Sequence, residues 1–228
     1  MENYQEQYNQ ELHQQEIRSN LQTLKGFFWI FATVLVIWVL TLLRIFIVDA
    51  GIFTMAVGMS AVIGIPIVYI YKKVDLSKQW VKYVFLTLIC MISSIFASFL
   101  SFHAVLIYVL PLLLAVQYRQ KRSLWITYFV NNITMTISML AGFYHGICDL
   151  NLLLGSNHTR SWYLEQWSAG TLQFDLEPDP VFVILFYGAL PRAVILLVFT
   201  VILRYISISG HTDAQRIADL TYRKETDL

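Results

Sequence analysis

The chain reads as an all-α integral membrane protein, a bundle of about six transmembrane helices with short cytoplasmic N- and C-terminal helices. Three observations predict this. Apolar residues make up 57% of the 228 positions, charged residues only 14%, and the mean hydropathy is +0.58, far from the balance of a water-soluble domain. Several apolar runs approach the roughly 20 residues that a hydrocarbon core about 30 Å thick requires. The basic residues cluster beside those runs rather than forming one stripe.

Residues 1–25 are polar, with Tyr4, Tyr8, Leu12, Ile17, Leu21 and Leu24 mostly three to five apart, which predicts a weakly amphipathic helix at the membrane surface. The apolar run that comes next is too long for the h-region of a signal peptide, so it is expected to stay as an anchor. The transmembrane domain then covers 26–204. Its first span is 26–48, with Arg44 near the far end where it can snorkel outward, and Asp49-Ala50-Gly51 supplies a turn. The second span, 52–71, sets Ala56, Ser60 and Gly64 four apart, a small-residue spacing that lets helix backbones approach closely. The third, 83–101, repeats it with Cys90, Ser94 and Ser98.

The fourth span, 103–118, holds Pro111, where a kink is expected. The fifth, 124–147, is the most polar, with Asn131, Asn132, Thr134, Thr136 and Ser138, and should face protein rather than lipid. A connection over 149–180 precedes the sixth span, 181–203. Residues 205–228 form a linker helix whose Ser207-Ile208-Ser209-Gly210 reads as a flexible joint.

On this threading thirteen Lys and Arg residues fall on one side (Arg18, Lys25, Lys72, Lys73, Lys78, Lys82, Arg119, Lys121, Arg122, Arg204, Arg216, Arg223 and Lys224), and Arg44 and Arg160 on the other. The excess places both termini in the cytoplasm of a multi-pass cell-membrane protein, and 149–180 outside. That external connection is acidic and aromatic, a mixture suited to a cationic ligand or to the headgroup layer. A net charge of +1 without a basic stripe gives no reason to expect a nucleic-acid partner.

Arg192 is the most informative single residue. It comes directly after Pro191 near the middle of the sixth span, where a charge costs about 3 kcal/mol or more unless paired or hydrated. With Asn131 and Asn132 it could line a polar pocket for an anionic ligand. The plainer readings are a structural tie between two helices, or a helix that starts at the membrane interface. His145, Cys148, Asp149 and His158 are metal ligands by type, but their spacing matches no standard site, so neither a metal nor another cofactor is expected. Asn157-His158-Thr159 has the form of a glycosylation acceptor, relevant only in a eukaryotic secretory pathway. A glycine-rich phosphate loop, a His-Glu-x-x-His pair, a nucleophile elbow and paired carboxylates within a span are all missing, so no catalytic residue is assigned.

In the tail, Ala214, Ile217, Leu220, Tyr222 and Lys224 lie close to a short heptad seam, which predicts homodimerisation through this helix. The run from Arg216 to Leu228, Arg-Ile-Ala-Asp-Leu-Thr-Tyr-Arg-Lys-Glu-Thr-Asp-Leu, resembles the helical lead-in that precedes the GGDEF domain of bacterial diguanylate cyclases. In that family the lead-in continues into a Leu-Thr-Gly-Leu-x-Asn-Arg type motif, of which Asp227 and Leu228 fall at the start. The spans before it, with Leu190-Pro191-Arg192 opening the last helix, are similar to membrane input regions of such proteins. The resemblance implies a bacterial sensor that responds to a small-molecule signal and drives a cyclic-dinucleotide-synthesising output domain lying outside this chain. The alternative is a small six-span solute-binding membrane subunit of a transporter.

Overall fold

The computed structural model describes residues 2–45, 50–100, 106–144 and 180–226, together with residues 165 and 169. Among the described residues the chain forms helices and turns and no strand. Five helical segments are long and apolar enough to cross a membrane: His13–Leu42, Ala50–Lys73, Gln79–Ser98, Lys121–Phe143 and Val181–Ser209.

The first element, α1, is a single helix from Glu2 to Leu42. The expected surface helix and first span are therefore one rod, because no Pro or turn-forming Gly interrupts them and Gly26 sits inside the helix against Leu114. The rod ends in a Schellman arrangement: Ile45 N–H donates to Leu40 O and Arg44 N–H to Thr41 O, each at 3.0 Å. Arg44 adopts φ 57°, the left-handed position that usually falls to Gly. Helix α2 (Ala50–Lys73) takes Ala50 and Gly51 into its first turn, in place of the loop expected there. It runs antiparallel to α1, since Trp38 Nε1 donates to Thr54 Oγ1 at one end while Phe27 lies against Gly64 at the other.

Helix α3 (Gln79–Leu100) is the centre of the bundle. Some 61% of its most apolar stretch is buried, against 22–33% in the other four long segments, and it packs on α1, α2 and the next two helices of the chain. Helix α5 (Lys121–Tyr144) runs parallel to it. Successive contacts advance together: Cys90 Sγ to Thr127 O, Ser94 Oγ to Thr134 Oγ1 at 2.9 Å, and Ser98 Oγ to Ser138 Oγ at 2.5 Å. Parallel neighbours oblige the intervening chain to return along the bundle, just as parallel strands require a crossover between them. The returning segment contains a short helix, α4 (Leu110–Val116), preceded by a 3₁₀ turn over 106–109.

The expected fourth span, 103–118, is thus only partly helical. Leu106–Val116 rises about 18 Å, short of a hydrocarbon core by itself. Pro111 opens the α-helical part instead of kinking its middle, at a position where its missing N–H goes unused. The last segment comprises α6 (Pro180–Val183), a π-helical turn (Ile184–Ala189) and α7 (Leu190–Thr226). It packs antiparallel to α5, with Val183 and Ile184 against Met139, Leu140 and Phe143, and Ala193 O accepting from Tyr128 Oη further down. The expected joint at Ser207–Gly210 is helical, so α7 continues unbroken to Thr226. Most of 149–180, with His145, Cys148, Asp149, His158 and Asn157-His158-Thr159, lies outside the described residues.

We call basal the end at which α2 stops and α3 and α5 start. Both terminal helices continue past it: α1 reaches it near Glu16, which leaves roughly 20 Å of helix beyond, and α7 is still buried at Leu203 and Ser207 and runs on to Thr226.

The parallel seam makes a direct prediction. With Cys90 and Cys148 replaced by Ser, the pair Ser98→Cys and Ser138→Cys should form a disulfide under mild oxidant, whereas Ser98→Cys with Thr127→Cys should not; gel mobility reads the result. A second pair tests packing around the glycines. A Cβ at Gly64 would meet the Phe27 ring at 3.2 Å, while at Gly58 nothing lies within 4 Å. Gly64→Val should therefore lose about 1–3 kcal/mol and Gly58→Ala should be neutral or stabilising, as measured by unfolding in micelles.

Candidate functional site

Besides the hydroxyl seam between α3 and α5, two places in the bundle gather polar side chains where an apolar core would otherwise run. The first is at the basal end. Four polar residues of α1, Glu16, Ser19, Asn20 and Thr23, recur at i, i+3, i+4 and i+7, which puts them on one face of the helix. That face turns inward, and Ser19, Asn20 and Thr23 are buried. Asn20 is used on both sides: Nδ2 donates to Leu76 O at 2.7 Å, and Oδ1 accepts from Tyr118 Oη at 2.8 Å. Ser19 Oγ donates to Gln117 O at 3.1 Å. The α2–α3 turn and the α4–α5 turn are in this way both tied to α1.

Beside them Lys82, in the first turn of α3, places its ammonium 2.6 Å from Glu16 Oε1 and 2.9 Å from Gln120 Oε1. Its side chain is 3% exposed and that of Glu16 15%. An ammonium this dry is tolerable only with a charged partner and further acceptors, and both are present. Asp75, at the start of the α2–α3 turn, accepts from Ser77 N–H at 2.9 Å, which holds its carboxyl below the usual carboxylate range. Arg119 closes the α4–α5 turn with φ 51°.

The second place is the π-helical turn. Leu190 N–H reaches back five residues to Leu185 O, and Pro191 comes next with no N–H to donate. Arg192 Nη1 donates to Gly188 O at 2.9 Å and lies 3.9 Å from Met139 Sδ on α5. Next to this turn is a small cavity of about 290 Å³, lined by Asn132 and Thr136 of α5 and by Leu185, Phe186, Ala189, Leu190 and Ala193.

The structure divides the three residues singled out in the sequence between two interfaces. Arg192 and Asn132 share the one between α5 and the π-turn. Asn131 faces a different side of α5, fully buried, with Nδ2 donating to Tyr108 O at 2.7 Å. Asn132 Nδ2 donates to Tyr128 O within its own helix at 2.8 Å. The Oδ1 atoms of both asparagines are buried without a hydrogen-bond partner. Adjacent helix positions differ by about 100°, so two consecutive asparagines serve two interfaces.

Sequence reasoning missed the basal junction. Tracing the apolar positions of α1 makes that stretch a surface helix, and leaves Lys82 as no more than a loop charge. The signal was present in the Glu16, Ser19, Asn20, Thr23 stripe, which continues into buried Leu24 and Phe27 and so marks an inward face. Compared with protein families, with characterised proteins and with solved structures, the chain matches none.

The ion pair carries a stability prediction. Lys82→Met or Glu16→Gln alone should each destabilise the protein by about 3 kcal/mol by stranding the partner, while Lys82→Met with Glu16→Leu should recover most of the loss, in thermal unfolding followed in micelles. Full additivity of the two single changes would show that they do not share a junction.

Proposed function

We propose that this chain is a membrane input unit of a bacterial signalling protein, with α7 as the element that carries the signal out. The observation behind this reading is that α7 passes without interruption from the π-turn, through the apolar bundle, to Thr226, a distance of about 55 Å. A helix continuous with the bundle transmits rotation and translation, whereas a flexible joint at Ser207–Gly210 would have absorbed them. The π-turn supplies a place where register can change, since one residue entering or leaving a π-turn rotates the downstream helix by about 100°.

On this reading the chain crosses the bilayer six times. The parallel α3 and α5 support that count, because the chain from 101 to 120 has to return between their ends and α4 covers the basal part of the way. The thirteen basic residues of the basal side favour a cytoplasmic location for both termini in the cell membrane. The tail seam favours a homodimer, the signal being a small molecule sensed from outside or within the bilayer. The likeness of the stretch from Arg216 onward to a GGDEF lead-in favours a diguanylate cyclase as the output.

The test is a phase scan. The chain is fused after Leu228 to a GGDEF-containing cyclase domain, and one to four residues are inserted after Gly210. Cyclic-dinucleotide production should change with insertions of one and two and return towards the parent value at four, close to one helical turn. Output that ignores the length of the insertion would sink the reading.

A further inference from the structure

A cleft of about 770 Å³ opens at the basal end, bounded by α1, the α2–α3 turn and the α4–α5 turn. We infer that it binds a phosphate-bearing anion, with Lys78 and Arg119 as the charged contacts. This does not rest on the signalling reading above.

Charge within the cleft is unbalanced. Two carboxylates line it, and both are engaged: Glu16 with Lys82, and Asp75 with Ser77 N–H. Three side chains able to carry positive charge also line it, namely His13, Lys78 and Arg119. Among the described residues neither Lys78 nor Arg119 is in an ion pair; Lys78 feels the charge of Asp75 across the cleft, and both are exposed to the cleft's solvent. With Lys82 offsetting Glu16 and Asp75 offsetting one cation, Lys78 and Arg119 together keep one positive charge that the protein does not balance.

Because α3 and α5 are parallel, both of their N-termini lie at the basal end, beside the C-termini of α2 and α4, whose opposite partial charges offset them. Gln79 and Gln120, which flank those first turns, also line the cleft and bring amide groups to it. A guanidinium and an ammonium lining one cleft match the several oxygens of a phosphate better than the two of a carboxylate. The volume lies within the range of small-molecule sites and leaves room for whatever the phosphate is attached to. The phosphate could belong to a lipid headgroup or to a free phosphorylated compound, and the experiment separates the two.

Full-length protein in a neutral detergent is heated with pyrophosphate, or with added phosphatidylglycerol, at constant ionic strength, with chloride and phosphatidylcholine as controls. Pyrophosphate or phosphatidylglycerol should raise the melting temperature. The variant Lys78→Gln with Arg119→Asn, the latter chosen because Asn tolerates positive φ, should weaken the apparent affinity roughly tenfold. Lys121→Gln with Arg122→Gln, which removes equal charge from residues that do not line the cleft, should change it less than about twofold. Should the first variant fold poorly, Lys78→Gln alone, at an exposed side chain, should still cost about threefold. A response to phosphatidylglycerol alone identifies a lipid headgroup, and a response to pyrophosphate, alone or in competition with the lipid, identifies a free phosphate compound; each supports the site. No shift with either ligand, or equal loss in the two double variants, overturns it.

Discussion

The rest of the bundle depends on the close parallel approach of α3 and α5. Hydroxyl and thiol groups on α3 meet hydroxyls and a carbonyl on α5 at intervals of one or two turns, and both partners are small enough to bring the backbones together. In an apolar surrounding such pairs gain from one another what water would otherwise provide. The pairing also sets the path of the chain. Two consecutive long helices that run the same way leave the connection between them to double back, and α4 occupies the space that this creates, buried through Pro111, Leu112, Leu114 and Ala115 against its neighbours.

With that centre in place, α1 and α2 add on one side and the last segment on the other. The contacts of α1 differ along its length. Near Trp38 it meets α2 with little burial, but from Glu16 to Phe27 it inserts polar and then apolar side chains into the basal end. The junction there mixes an ion pair with neutral hydrogen bonds to carbonyls of two turns. Both kinds demand specific geometry, so α1 is located by directed interactions where a purely apolar face would allow sliding.

Much of the fold was legible in the sequence, and the legible parts share a cause. Small residues four apart marked the buried faces of α2 and α3, because close backbone approach is a local requirement that leaves a periodic trace; Ala56, Ser60, Cys90 and Ser94 are all buried. The fifth span was expected to face protein; Asn131, Thr134 and Ser138 do meet other elements, but Asn132 and Thr136 bond within α5 and Phe129, Ile133 and Ile137 stand exposed, so only part of it does. Boundaries that depend on continuity were harder. Ser207–Gly210 reads as a joint on propensity, yet the backbone there continues as helix, since one Gly and two Ser cost little against a long rod already nucleated on either side. Pro111 was readable as a break but not as a helix start, because that depends on where the preceding turn ends. The basal site was written in a polar stripe that only the partner elements make meaningful: Lys82 lies 66 residues from Glu16, and nothing local to either announces the other.

That separation bears on the order in which the protein assembles. The inner face of α1 is synthesised before its partners, which are Leu76 O, Lys82, Gln117 O and Tyr118. Until residue 76 has been made none of these partners exists, and the set is complete only at Tyr118. That face thus acts as a late fastener: its first bond waits for the α2–α3 turn, and the basal end is closed only when the α4–α5 turn has followed.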